Sequence, residues 1–216
     1  MLEGIKACFF DMDGTIVDSM WMWRDIDIEF LGSRGIKLPD DLQKKIEGMC
    51  FSETAEFFKK EFALPESVDE IKKIWNEMAM DKYRYQVPLK KGVRDFLEYL
   101  KDNRIKTGIA TSNSPELAMC SLESLKIRDY FDTIVTGCLV GAGKPAPDVY
   151  LKCAKDCGVN PGDCLVFEDI PLGIMAGLNA GMKVCAVYDE YSADVDNVKR
   201  NMSDYYIKDF TQILQL

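Results

Sequence analysis

The sequence predicts an α/β protein: a parallel sheet wrapped by helices, with an all-helical segment inserted after the first strand. Three observations predict it. Short apolar runs rich in β-formers recur at Ala7–Phe10, Gly108–Ala110, Thr133–Thr136, Leu165–Phe167 and Val184–Val187, with a weaker run at Tyr205–Ile207. From residue 92 onward, stretches with helical spacing separate these runs, and that alternation is the signature of a helix-wrapped parallel sheet. Residues 19–87 break the alternation and contain no convincing strand.

The elements follow in order. Continuous apolar runs suit strands buried on both faces. In the insertion, Trp23, Ile26 and Phe30 share one helical stripe, and Phe51–Phe62 and Val68–Tyr85 also read as helices. Gly35, Pro39, Gly48 and Pro65 punctuate them. Hinges are expected near Thr15–Asp18 and Val87–Lys91. Residues 1–18 and 88–216 would then form the α/β core domain, and residues 19–87 a helical cap. In the core, Val93, Phe96, Leu97 and Leu100 form one apolar stripe, and Leu117, Cys120, Leu122 and Leu125 another. Gly173, Gly177 and Gly181, spaced four apart, predict close approach of a helix to the sheet.

Composition removes several functions. The 216 residues carry a net charge of −9 and no large Lys/Arg cluster, so no face is suited to a nucleic acid. No apolar run is long enough to span a membrane. The eight cysteines form no C-x-x-C pair and no secretory leader precedes the first strand, which fits reduced thiols in a cytoplasmic protein. Oligomeric state leaves no mark on the sequence. Histidine is absent. That excludes Ser–His and Cys–His catalysis and His-ligated zinc. Proton transfer must use carboxylates, Lys, Tyr, Cys or water.

Four segments carry chemistry. The first strand runs into Asp11-Met12-Asp13-Gly14-Thr15, at the strand end where α/β sheets bind ligands. Residues i and i+2 of a strand point the same way, and two such carboxylates repel unless a cation intervenes or one is protonated. A polar Asp-Gly turn is the plainer alternative. Leu165-Val166-Phe167-Glu168-Asp169 again ends an apolar strand in carboxylates; helix capping by Asp169 is the alternative there. Together the two segments make an oxygen-rich cluster suited to Mg2+. Lys144 lies in the Gly/Pro-rich loop Gly143–Asp148, where it can serve a phosphate or remain a solvated loop lysine. Thr111-Ser112-Asn113-Ser114-Pro115 follows a strand and opens a helix, whose free N–H groups suit an anion or simple capping by Ser114.

The four segments, in this order, resemble the haloacid dehalogenase superfamily, in its phosphatase and β-phosphoglucomutase-like branch. The resemblance covers nearly the whole chain and implies a Rossmann-like core with an inserted helical cap. It implies a Mg2+-dependent phosphatase acting on a small phosphomonoester, with Asp11 as the nucleophile that becomes an aspartyl-phosphate and Asp13 as acid and base. Asp11, the carbonyl of Asp13, Asp169 and, directly or indirectly, Glu168 would hold the metal. Thr111, Ser112 and its backbone, and Lys144 would hold the phosphoryl group. The alternative within the branch is a sugar-phosphate mutase. Those mutases carry a cap histidine twelve residues after the nucleophile and a cap-loop arginine. Here these positions are Trp23 and Phe51. With Met49, they give the cap an apolar substrate-facing surface, so hydrolysis is favoured.

Overall fold

Six strands form one sheet: β1 (Ala7–Phe10), β2 (Lys106–Thr111), β3 (Thr133–Thr136), β4 (Cys164–Glu168), β5 (Lys183–Val187) and β6 (Tyr205–Ile207). They belong to a computed structural model that describes residues 1–213. The strand order is β3-β2-β1-β4-β5-β6 and every pairing is parallel. β1 to β3 step toward one edge and β4 to β6 toward the other. The reversal between β1 and β4 is the switch point at which open α/β sheets form a ligand crevice beyond their carboxyl ends. Phe10 is in register with Ile109 on one side and Phe167 on the other. The chain segments leaving β1, β2 and β4 therefore emerge side by side.

Helices α1 (Met20–Gly32), α2 (Leu42–Ile46), α3 (Phe51–Glu61) and α4 (Val68–Tyr85) lie between β1 and β2 in the chain. The remainder are α5 (Val93–Asp102), α6 (Pro115–Ser124), the short α7 (Gly137–Val140), α8 (Asp148–Cys157), α9 (Pro171–Asn179) and α10 (Asp196–Met202).

Strand alternation sorts the core into two layers. Cys8, Phe10, Leu165, Phe167, Cys185 and Val187 pack on one face with α5 and α6. Phe10 stacks on Phe167 with ring centroids 4.9 Å apart, and Phe96 of α5 meets both edge-on. Ala7, Phe9, Cys164, Val166, Val184 and Ala186 pack on the other face with Tyr150 and Cys153 of α8 and Ile174 of α9. All four stripe residues of α5 are buried; in α6 only Leu117 and Leu122 are, because Cys120 and Leu125 lie at the edge of its contact.

The glycine spacing in α9 is only partly a packing device. A Cβ on Gly173 would fall 2.1 Å from the Glu168 carboxyl, and one on Gly177 would fall 2.7 Å from Val184 Cγ2. Gly181 has nothing within 4 Å. It lies past the helix with φ +73°, where it makes a left-handed turn that glycine adopts without strain.

The two segments joining α1–α4 to the sheet run together. Val17 bridges Leu89 antiparallel, the Asp18 N–H donates to Pro88 O at 3.0 Å, and the Lys90 N–H donates to Ile16 O at 2.9 Å. Within α1–α4, Phe30, Phe51, Phe58 and Trp75 pack edge to face, with centroids 4.9–6.1 Å apart. Such aromatic pairs add about 0.5–1.5 kcal/mol each beyond area burial.

Candidate active site

β1 delivers Asp11 just past its last residue, where the Asp11 N–H donates to Phe167 O at 3.0 Å. Met12 O then accepts N–H groups from Thr15, Ile16 and Val17, which turns the chain sharply. The turn needs glycine at position 14: φ is +81°, and a Cβ would lie 2.3 Å from Asp169 Oδ2. It brings the Thr15 hydroxyl 2.9 Å from Asp169 Oδ1. Asp169 therefore does not cap a helix. The residue preceding α9 is Ile170, and the Asp169 carboxylate faces β1 instead.

Lys144 reaches into this crevice from the loop before α8. Its side chain is only 4% exposed, and Nζ lies 2.5 Å from both Asp11 Oδ1 and Glu168 Oε1. The Tyr150 hydroxyl donates to Glu168 Oε1 at 2.6 Å, and the Asp169 N–H donates to Glu168 Oε2 at 3.2 Å. Behind them, the Ser192 hydroxyl donates to Asp169 O at 2.8 Å and in turn accepts from the buried Lys199 at 2.9 Å.

Asp11, Glu168 and Asp169 can each present one carboxylate oxygen within 4.8 Å of the others. Burial pushes Glu168 up to about 7, with Lys144 pulling down and Asp11 pushing up. Burial, then Asp11 and Glu168, push Asp169 well above its ordinary value. For Lys144, burial works against the charge, but Asp11 and Glu168 outweigh it and hold the ammonium above its ordinary value. One cation thus faces three buried carboxylates. The crowding raises the carboxyls' affinity for protons, and a set of oxygen donors alone fits a hard divalent cation such as Mg2+ in their place.

A second network surrounds Asp13. Its carboxylate accepts from Ser19 Oγ at 2.6 Å, from the Tyr83 hydroxyl, and from Asn113 Nδ2 at 3.1 Å. Asn113 Nδ2 also reaches Tyr83 Oη at 2.7 Å, and Trp23 Nε1 donates to the same oxygen at 3.1 Å. Burial, together with Asp11, pushes Asp13 up, while the hydrogen bonds from Ser19, Tyr83 and Asn113 pull it down; the net shift is upward.

The family model for haloacid dehalogenase-like hydrolases matches residues 8–187. The chain belongs to this family. The membership makes it a hydrolase, in accord with the motif reading. A phosphorylated carbohydrates phosphatase of Thermotoga maritima is 31% identical over 179 residues, covering 83% of each chain. Hexitol phosphatase B of Escherichia coli is 27% identical, covering 85% of this chain and 83% of its own. The crystal structure of CbbY from Rhodobacter sphaeroides in complex with phosphate superimposes with a TM-score of 0.85 at 20% identity, covering 97% of this chain and 96% of the other, which shows the shared fold.

The structure brings together Asp11, Lys144, Glu168 and Asp169 of the residues singled out in this haloacid dehalogenase-like sequence. Thr111 is buried at the end of β2 and its hydroxyl accepts the Asn113 N–H at 3.1 Å. Ser112 contributes its carbonyl, which accepts the Phe51 N–H at 2.8 Å. Trp23 and Phe51 are engaged with protein: Trp23 binds Tyr83, and Phe51 packs between Trp23 and Trp75 with centroids 6.2 and 5.6 Å away. Met49 stands apart, lining a cavity with Lys144 and Leu172.

Sequence reasoning missed Thr15, Ser19, Tyr83, Asn113 and Tyr150. Thr15 and Asn113 lay inside quoted segments, so strand-end position could have found them. Ser19 reads as a helix cap, but its hydroxyl makes no cap bond and goes to Asp13 instead. Tyr83 continues the buried stripe Ile71, Trp75 and Ala79, and no local signal separates it from core.

Proposed function

We propose that this chain is a Mg2+-dependent phosphatase that hydrolyses a small phosphomonoester through an aspartyl-phosphate on Asp11. The observation that carries the reading is Lys144, buried and bridging Asp11 to Glu168 beside Asp169 at the sheet's switch point. Phosphoryl transfer needs mainly positioning and charge neutralisation, and this crevice offers both.

In the first step an Asp11 carboxylate oxygen attacks phosphorus and the ester P–O bond breaks. Asp13, whose pKa is shifted upward, gives its proton to the leaving oxygen. In the second step Asp13 takes a proton from water, the water oxygen attacks phosphorus, and the bond to Asp11 breaks to free inorganic phosphate. The covalent intermediate splits one hard displacement into two. Lys144 neutralises phosphoryl charge, and Thr111 and the backbone at Ser112 orient the group. Asp11, Asp169 and the Asp13 carbonyl would hold Mg2+, with Glu168 as a ligand or as the neighbour that sets Asp169. The bound cation would supply charge neutralisation at the phosphoryl oxygens.

Residues 19–87 act as a cap over the core of residues 1–18 and 88–216. Relatives named for phosphorylated carbohydrates and hexitols support a phosphorylated sugar or polyol as substrate. Hydrolysis is favoured over a mutase reaction because the chain has no histidine and the Trp23 indole is committed to Tyr83. The eight free thiols support a cytoplasmic setting, and no described helix is long and apolar enough to cross a membrane.

The test is phosphate release from a panel of phosphomonoesters, with Mg2+ or with chelator, for the wild type and Asp11→Asn. Release that needs Mg2+ and vanishes in the folded variant is expected. Turnover that survives either the chelator or the substitution would overturn the reading.

A further inference from the structure

Where the insertion meets the core, glycines let the two chain segments approach closely. A Cβ on Gly137 would lie 2.7 Å from Cys50 Cβ, one on Gly143 would lie 2.5 Å from Gly48 O, and one on Gly48 would lie 2.5 Å from Lys144 O. Glu53 ties the seam, accepting the Cys50 N–H at 2.7 Å and the Gly143 N–H at 3.4 Å. Across it, Cys50 at the amino-terminal end of α3 faces Cys138 in α7, with sulfurs 3.6 Å apart.

We propose that Cys50 and Cys138 form a reversible disulfide that fastens the insertion to the core and suspends turnover. The sulfurs are already in van der Waals contact, and a bond of about 2.05 Å needs only a small further approach. The two cysteines lie 88 residues apart in sequence and on opposite sides of the interface, so the bond would staple residues 19–87 to the segment following β3.

The two thiols are unequal. Cys138 Sγ accepts the Ser52 N–H at 3.4 Å, from the first turn of α3, and lies 3.3 Å from Ser52 Oγ. Helix amino termini favour thiolates. The hydrogen bond shared with Cys50 lowers Cys138 and raises Cys50, and Lys72 adds to the lowering. Burial pushes Cys8, Cys153, Cys164 and Cys185 in the opposite direction. Cys138 is also reachable: it is partly exposed and lines a cavity of about 510 Å³ with Lys72, Ser114 and Leu139.

The oxidant is a hydroperoxide. The Cys138 thiolate attacks the peroxide oxygen, the O–O bond breaks, and a sulfenic acid forms with release of hydroxide or alkoxide. The Cys50 sulfur then displaces the sulfenic oxygen as water, losing its own proton. Two thiols are oxidised by two electrons and one peroxide is reduced. A small thiol reverses the bond by exchange.

The experiment treats the full chain with hydrogen peroxide and maps it by non-reducing peptide mass spectrometry, alongside phosphate release. Expected are a mass lower by about 2 Da, a Cys50–Cys138 bridged peptide, two fewer of the eight thiols free, and turnover reduced at least about tenfold and restored by dithiothreitol. Cys138→Ser and Cys50→Ser should each keep turnover under the same treatment. Absence of the bridged peptide would overturn the proposal. So would a bridge that leaves turnover unchanged, or inactivation that persists in both serine variants. The bridge is read by mass alone, so failure of the phosphatase reading would show separately, as no phosphate release from the reduced protein.

Discussion

Replacing Lys144 by methionine keeps the length of the side chain and removes its charge. In the wild type the ammonium sits 2.5 Å from two carboxylates with 4% of the side chain exposed. Breaking a buried ion pair from one side costs about 3–5 kcal/mol, because the remaining charge is left uncompensated. Glu168 and Asp169, already shifted upward, can take up protons and relieve part of the charge, so the lower part of that range is expected in chelator. Mg2+ should change the comparison. Lys144 and a divalent cation held by Asp11 and Asp169 would compete for the same negative field and repel each other by several kcal/mol even at an effective dielectric of about 20. The variant should bind Mg2+ more tightly than the wild type, and the stability gap should narrow as Mg2+ is added. Turnover should not recover with it. A phosphoryl group would lack its ammonium partner, and losing one such stabilising group costs about 10²–10³ in kcat. Urea unfolding in chelator and across a Mg2+ titration measures the first effect, and phosphate release at saturating Mg2+ the second. A variant as stable as the wild type in chelator, or a gap that widens with Mg2+, would refute the electrostatic account of this cluster.

Two further outcomes are expected. Burial pushes Asp27 up to about 7, against a lowering hydrogen bond from Gln43. The folded chain then keeps a proton that the unfolded chain sheds near its ordinary value of 3.8. Stability should fall as pH rises from about 4 to 7, by up to about 4 kcal/mol, and Asp27→Asn should flatten that slope in urea midpoints compared at pH 5 and pH 8. Tyr83→Phe removes the hydroxyl shared by Asp13, Trp23 and Asn113. It should cost about 1–3 kcal/mol in unfolding and lower kcat with little change in KM, whereas a purely structural role for Tyr83 would leave kcat of the folded enzyme intact.

The parts of the fold that one strand or helix decides by itself were legible. The runs Ala7–Phe10, Thr133–Thr136 and Tyr205–Ile207 and the helix Val68–Tyr85 have the bounds their patterns predict, because apolar run length and helical spacing are local properties. Asp11, Glu168, Asp169 and Lys144 were legible because strand ends and a Gly/Pro loop mark positions before any contact is known. The Asp13 network was not. Tyr83 lies 70 residues from Asp13 and Asn113 lies 100 residues away, and their meeting depends on how the helical insertion lies on the sheet. For the same reason the contacts of Trp23 with Tyr83 and of Phe51 with Trp75 were not legible.

That placement carries a consequence for how the site works. The insertion touches the chemistry-bearing loops at a few polar points: Tyr83 binds Asp13, Asn76 Oδ1 accepts from the Ser114 hydroxyl at 2.7 Å, and the Phe51 N–H binds Ser112 O. These three land on the segments after β1 and β2, which carry Asp13, Thr111 and Ser112, while Glu53 accepts the Gly143 N–H at 3.4 Å on the loop that carries Lys144. The Lys144, Glu168 and Asp169 side chains bind Asp11, Thr15, Tyr150 and one another. The two halves of the site therefore differ in what holds them. The charge cluster is tied together by side chains outside α1–α4. The orientation of Asp13 is set by groups from both sides of the interface. Swinging α4 away would release the Tyr83 contact to Asp13. Seating the insertion and orienting the carboxyl proposed as acid and base are then one event, and a covalent staple between Cys50 and Cys138 would act at a different step, by holding the insertion seated so that substrate and product no longer exchange.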